Sequence, residues 1–174
     1  MKISKREVVK LSLEGKSVPY TPWNIAFTQE PAEMLFKHYG TKDLDGILHP
    51  HLYFIGGGDG FFVRMDESCV KDIFGVFWDR SVDKDIGIVK GCVLPEPTLA
   101  GYSFPDPGNP VFWTSSDSLK SERAQERYRI YGIGFSLYER AWTLRGTENL
   151  MMDFIDHPEF VDELLTDIVL KKLL

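Results

Sequence analysis

The sequence predicts an α/β fold interrupted by an antiparallel β insertion, and three observations lead there. The first third alternates extended and helical segments. The middle holds short β-rich runs separated by polar turns. The last third reads as a strand followed by helices with recognisable caps. Apolar residues at 43% and charged residues at 26% of the 174 suit a globular chain with a sizeable core.

Ser4 and Glu7 have capping-box spacing, Val8, Val9 and Leu13 give an apolar side, and Gly15 can end the first helix. Ser17–Phe27 is aromatic and carries Pro19 and Pro22, which exclude a helix interior and suit an extended segment entering a sheet. A second helix is expected from about Glu30 to Tyr39, with Pro31 in its first turn and Gly40 behind it. Asp43–Ile55 reads as strand-like, with Gly46–Phe54 at its centre.

The insertion spans about residues 56–94. Gly56–Gly60 is a turn, Phe61–Met65 a short strand, and Asp72–Trp78 and Ile86–Leu94 are β-rich arms around the polar turn Asp79–Asp85. Residues 95–110 carry five prolines and form a loop. A charged helix is expected around Asp117–Arg127, then an alternating strand over Tyr128–Phe135. Ser136 and Glu139 have capping-box spacing before Arg140–Arg145, which Gly146 stops. Thr147 can cap a helix over Asn149–Ile155, and Asp156–Glu159 opens the last one.

The net charge of −6 and the scattered basic residues argue against nucleic acid. The densest basic stretch, Lys120–Arg129, is interleaved with Glu122 and Glu126 and reads as a solvated helix face. No apolar run nears the ~20 residues of a membrane span. Cys69 and Cys92 lie outside any CxxC pattern and no signal-type apolar region follows Met1, so a soluble cytoplasmic protein is expected.

Three stretches carry a family resemblance: DIFGVFWDRSVDKDIG over Asp72–Gly87, LAGYSFPDP over Leu99–Pro107, and GIGFSLYERAWTLRGTENLMMDFIDHPEFVDELL over Gly132–Leu165. Together they resemble the uroporphyrinogen decarboxylase superfamily, in particular its branch of corrinoid-dependent methyltransferases. The resemblance spans essentially the whole chain and is weaker toward the N-terminus. It implies the N-terminal part of a (β/α)8 barrel of about three βα units, with strands near Tyr20–Phe27, Gly46–Phe54 and Tyr128–Gly134. A closed barrel typically needs ~250 residues. Three parallel strands leave an open edge that favours association. The expectation is therefore an excerpt or truncation of a longer protein, or one chain of a split enzyme.

In that superfamily the decarboxylases use an Asp at the end of the second strand, a position near His51 here. Their first strand carries arginines for substrate carboxylates, but Ser17–Gln29 has no Arg or Lys. That weakens decarboxylation of a polycarboxylate, which calls for guanidinium forks. A tyrosine expected after the third strand aligns with Trp142. The methyltransferase branch moves a methyl group between a corrinoid protein and a thiol or pterin. Its zinc ligands lie in the second half of the barrel, so this chain is assigned no metal or cofactor, and zinc and a corrinoid belong to a full-length protein.

The leading expectation is a piece of a methyl-transfer enzyme, with a porphyrinogen decarboxylase and a non-catalytic half-barrel subunit as alternatives. Its partners would be a corrinoid protein, the missing half-barrel or a second copy. The candidate pocket residues are His51, Gly134, Phe135, Glu139 and Trp142. Gly134 and Phe135 would end a barrel strand at the active-site mouth, while Glu139 is equally accounted for as a cap. His49 and His51, as HxH on a strand, would share one face, but no third ligand is marked.

Overall fold

The computed structural model describes residues 3–55, 61–110, 118–132 and 134–172. The chain divides into two compact units, one of residues 1–56 with 115–132 and one of residues 57–114 with 133–174. Among the described residues the architecture is mixed α/β, with one parallel sheet and one antiparallel sheet. No helix among them is long and apolar enough to cross a membrane.

The first unit opens with α1 (Lys5–Leu13), where the Ser4 hydroxyl accepts from the Glu7 amide as the capping-box spacing predicts. Val8 and Val9 are buried, but Leu13 is 70% exposed and belongs to no core. Helix α2 (Gln29–Tyr39) ends at Gly40, whose φ of 67° supplies the left-handed cap.

Two expectations fail in between. Tyr20–Phe27 forms no strand: Pro19 and Pro22 lack N–H donors, and the segment reaches the sheet through Trp23, whose carbonyl accepts from the His51 amide at 3.0 Å. The strand-like Asp43–Ile55 is split. Asp43 accepts from the Gly46 amide and starts a short helix α3 (Leu44–Leu48), and only β1 (Leu52–Ile55) is strand. His49, at φ 52°, and Pro50 separate the two.

The charged helix is α4 (Glu122–Glu126), capped by Ser121, and β6 (Tyr128–Tyr131) follows it. Strands β1 and β6 pair in parallel, from Leu52 opposite Tyr128 to Ile55 opposite Tyr131. The predicted strand over Tyr128–Phe135 stops at Tyr131. The basic stretch is not all solvated: Arg127 is 1% exposed and its Nη1 donates to Asp45.

Arg123 grips Asp43 through Nη1 at 2.8 Å and Nη2 at 2.6 Å. That fork, helped by the Gly46 amide, lowers the Asp43 carboxyl from 3.8 to about 2. A depressed acid stabilises the fold above its ordinary range, and the contribution is lost as pH falls toward about 2. Carboxyl-carbon NMR is expected to show Asp43 titrating near 2, and Arg123→Gln is expected to return it toward 3.8. An unchanged midpoint in the variant would rule out the fork as the cause.

The second unit contains the meander β2 (Phe62–Arg64), β3 (Cys69–Asp72), β4 (Phe77–Asp79) and β5 (Ile88–Lys90). These are the expected antiparallel hairpins, cut shorter than the apolar runs suggest. Asp72–Trp78 is not one arm, because Ile73–Val76 turns back between β3 and β4. The register sets Val70, Trp78 and Val89 side by side on the inner face. Lys71, Phe77 and Lys90 form the opposite row. The predicted turn at Gly56–Gly60 lies outside the described residues.

Three helices complete this unit: α5 (Leu137–Arg145), α6 (Thr147–Asp156) and α7 (Pro158–Lys172). The capping box at Ser136 does not form, and Gly146 rather than Thr147 is the cap of α6. Trp78, Ala141, Leu144, Leu150, Leu164 and Ile168 are at most 1% exposed and form the centre of the core. The last turn of α5 is closed from outside, since the Val93 and Leu94 amides both donate to the Leu144 carbonyl.

Candidate functional site

Among the described residues, a fully buried and densely bonded polar cluster lies inside the apolar core of the second unit. Asp72 ends β3 on the inner face, two residues after Val70, so its carboxylate enters the core. Oδ1 accepts from the amides of Phe74 at 2.9 Å and Val76 at 3.0 Å, which fixes the turn into β4. Oδ2 accepts from Trp78 Nε1 at 3.2 Å and from Arg140 Nη1 at 2.8 Å.

Arg140 comes from the first turns of α5, and both charged side chains are 0% exposed. Burying two charges costs several kcal/mol per ion unless each is paired and hydrogen-bonded. Asp72 meets that condition, with four donors on two oxygens. Arg140 meets it in part. Nη1 is used and lies 3.3 Å from Thr143 Oγ1, whereas Nε and Nη2 have no partner among the described residues.

Aromatic rings wall the guanidinium. Its central carbon sits 4.0 Å from the Phe74 ring centre, 5.5 Å from that of Phe135 and 5.9 Å from that of Phe61. Phe135 packs at 4.9 Å on Trp78 from a left-handed backbone of φ 51°, a conformation that costs a non-glycine residue about 1–3 kcal/mol. Behind Phe74, the Tyr102 hydroxyl donates to its carbonyl at 3.0 Å, and burial pushes that phenol well above its ordinary range. Tyr102 and Phe74 also line an open cleft of about 450 Å³ with Lys71, Phe77, Lys90 and Cys92. This arrangement can bind. Asp72, saturated with donors, is not a free base.

The five candidate residues from the sequence fall in different units. Phe135 belongs to the Arg140 wall, and Trp142 packs half-buried against the same core. Gly134 and Glu139 are exposed. A side chain at Gly134 would meet nothing within 4 Å. His51 lies in the first unit, just before β1. It is 4% exposed, with Nδ1 at 3.3 Å from the Trp23 amide and 3.2 Å from its carbonyl. Tyr20 and Trp23 meet its ring edge-on. His49 sits exposed in the turn, so HxH is not a strand pair. No group of three metal-binding side chains occurs among the described residues.

Burial lowers the His51 pKa below 6.5. A histidine depressed on folding stabilises the fold above its unfolded value, so this contribution fades as pH drops below 6.5. Imidazole-carbon NMR is expected to find His51 titrating below 6.5. A midpoint at or above 6.5 would mean that the ring is solvated.

Asp72, Trp78 and Arg140 escaped the sequence reading. The available signal was an aspartate opening an apolar aromatic run, DIFGVFW, and an arginine beside Ala141 and Trp142 on a helix that the core must cover. Comparison with family models, with curated proteins and with solved structures returned no match for this chain.

Proposed function

We propose that this chain supplies the N-terminal strands and insertion of a barrel enzyme of the uroporphyrinogen decarboxylase type, from its methyl-transferring branch. One observation carries the reading: β1 and β6 pair in parallel although the whole antiparallel meander separates them in sequence. This is the relation expected of neighbouring barrel strands with an insertion between them.

A parallel pair of four-residue strands is not a self-sufficient sheet, because parallel sheets are covered on both faces. Here Phe54 is 59% exposed, Tyr131 52%, and α2 buries no residue. Further strands, from additional chain or from a partner, would cover them. The lack of any Arg or Lys in Ser17–Gln29 favours methyl transfer over decarboxylation of a polycarboxylate. Zinc and the corrinoid would be held by residues outside this chain.

The test combines this chain with the remainder of its barrel and adds a methylated corrinoid with thiol or pterin acceptors. Loss of the methyl–cobalt spectrum supports the reading. An intact spectrum with every acceptor, alongside turnover of a porphyrinogen, would replace it with the decarboxylase. The same exposed surface favours a second reading, a half-barrel interaction subunit. Stoichiometric co-purification with a strand-bearing chain, without methyl transfer, would select it.

A further inference from the structure

Half of the Arg140 guanidinium is left over once Asp72 has been served. Nη1 carries the ion pair, while Nε and Nη2 form the edge that presents parallel N–H bonds. They find no acceptor among the described residues, and the side chain is 0% exposed. A buried N–H left without an acceptor is costly, and native interiors keep few of them. The neighbouring rings of Phe61, Phe74 and Phe135 offer π-faces and no oxygen.

The chemistry of this edge selects its ligand. Two parallel N–H bonds in one plane match a carboxylate in bidentate geometry. Charge does not forbid it, since Asp72 spreads its own charge over Phe74, Val76 and Trp78 donors as well as Arg140. Aromatic walls favour a flat apolar body behind the carboxylate. Phe74 is buried, whereas Phe61 and Phe135 are half-buried, so a ligand reaching this edge would have to pass these two rings. The strained backbone at Phe135 fits such a position, because strain of this kind gathers at ligand clamps.

We propose that the Nε–Nη2 edge of Arg140 binds a small aromatic carboxylate, its ring held among Phe61, Phe74 and Phe135. This site belongs to the second unit alone and does not depend on methyl transfer.

The experiment follows the arginine Nε–H resonances of the full 174-residue chain by NMR. The signals are assigned through bonds to the backbone, and benzoate, acetate or benzamide is added at constant ionic strength. Benzoate is expected to shift the Arg140 signal saturably, at a concentration about tenfold below acetate, because its ring is buried as well. Benzamide and the Arg145 signal are expected to stay silent. Arg140→Lys, which keeps the charge and loses the fork, is expected to abolish the heat of benzoate binding. If that variant fails to fold, the titration of the unaltered chain still decides. A flat or unsaturable benzoate response overturns the proposal. So does an equal response to benzamide, which would mean that any neutral acceptor, water included, suffices.

Discussion

Replacing Asp72 with Ala is expected to destabilise the second unit by about 3–5 kcal/mol, the usual consequence of stranding one member of a buried ion pair. Arg140 would be left 0% exposed with no carboxylate, and the turn into β4 would lose the acceptor of the Phe74 and Val76 amides. Arg140→Met is expected to cost less than Asp72→Ala, because Asp72 keeps three neutral donors. The double variant is expected to recover at least about 2 kcal/mol relative to the sum of the singles, since an apolar replacement of a whole buried pair is tolerated far better than half of one. Hydrogen exchange of the α5 and α7 amides reports this unit by itself, which matters in a chain of two units. Losses that add to within about 0.5 kcal/mol would show that the two side chains do not act as a pair.

That pair also marks where sequence reasoning runs out. Helix ends were legible wherever a local device decides them: Ser4 before α1 and Gly40 after α2 act through neighbours within four residues. The order of parallel and antiparallel pieces was legible too, because β-rich runs and polar turns alternate from Phe61 to Leu94. Gly46–Phe54 misled because its apolar residues suit strand and helix alike, and a single side chain, Asp43 on the Gly46 amide, decided for the helix. Capping at Ser136 misled in the other direction: the spacing is present, but Ser136 makes no side-chain cap bond.

The candidate site was the least legible part. Asp72 and Arg140 are 68 residues apart, and nothing local to either says that both point into one core. Only the meander's register sends Asp72 inward beside Trp78. Phe135, placed by sequence at a strand end, packs against the core and also walls the Arg140 guanidinium. His51, in contrast, drew attention through its motif, while its surroundings are those of a buried ring bonded to backbone.

Asp153→Ala is the second change expected to cost about 3–5 kcal/mol, through the other buried arginine of the same unit. Arg145 donates from Nε to Asp153 at 2.6 Å and from Nη2 at 3.3 Å, which holds α6 against the end of α5. Its Nη1 donates to the carbonyls of Leu94 at 3.0 Å and Pro95 at 2.5 Å. The guanidinium therefore ties the segment leaving β5 to both helices, and the Asp153 hydrogen bond raises its pKa further. Without Asp153 the cation keeps the Leu94 and Pro95 carbonyls and the face of the Phe160 ring while remaining 7% exposed. Arg145→Lys is expected to be nearly as harmful, because an ammonium cannot serve a carboxylate and two carbonyls in one plane. The Val93 and Leu94 amides, which donate to the Leu144 carbonyl, should then exchange about a hundredfold faster, the equivalent of about 2.7 kcal/mol of local opening. Unchanged exchange there in Asp153→Ala would show that this segment is held by its own backbone bonds and not by Arg145.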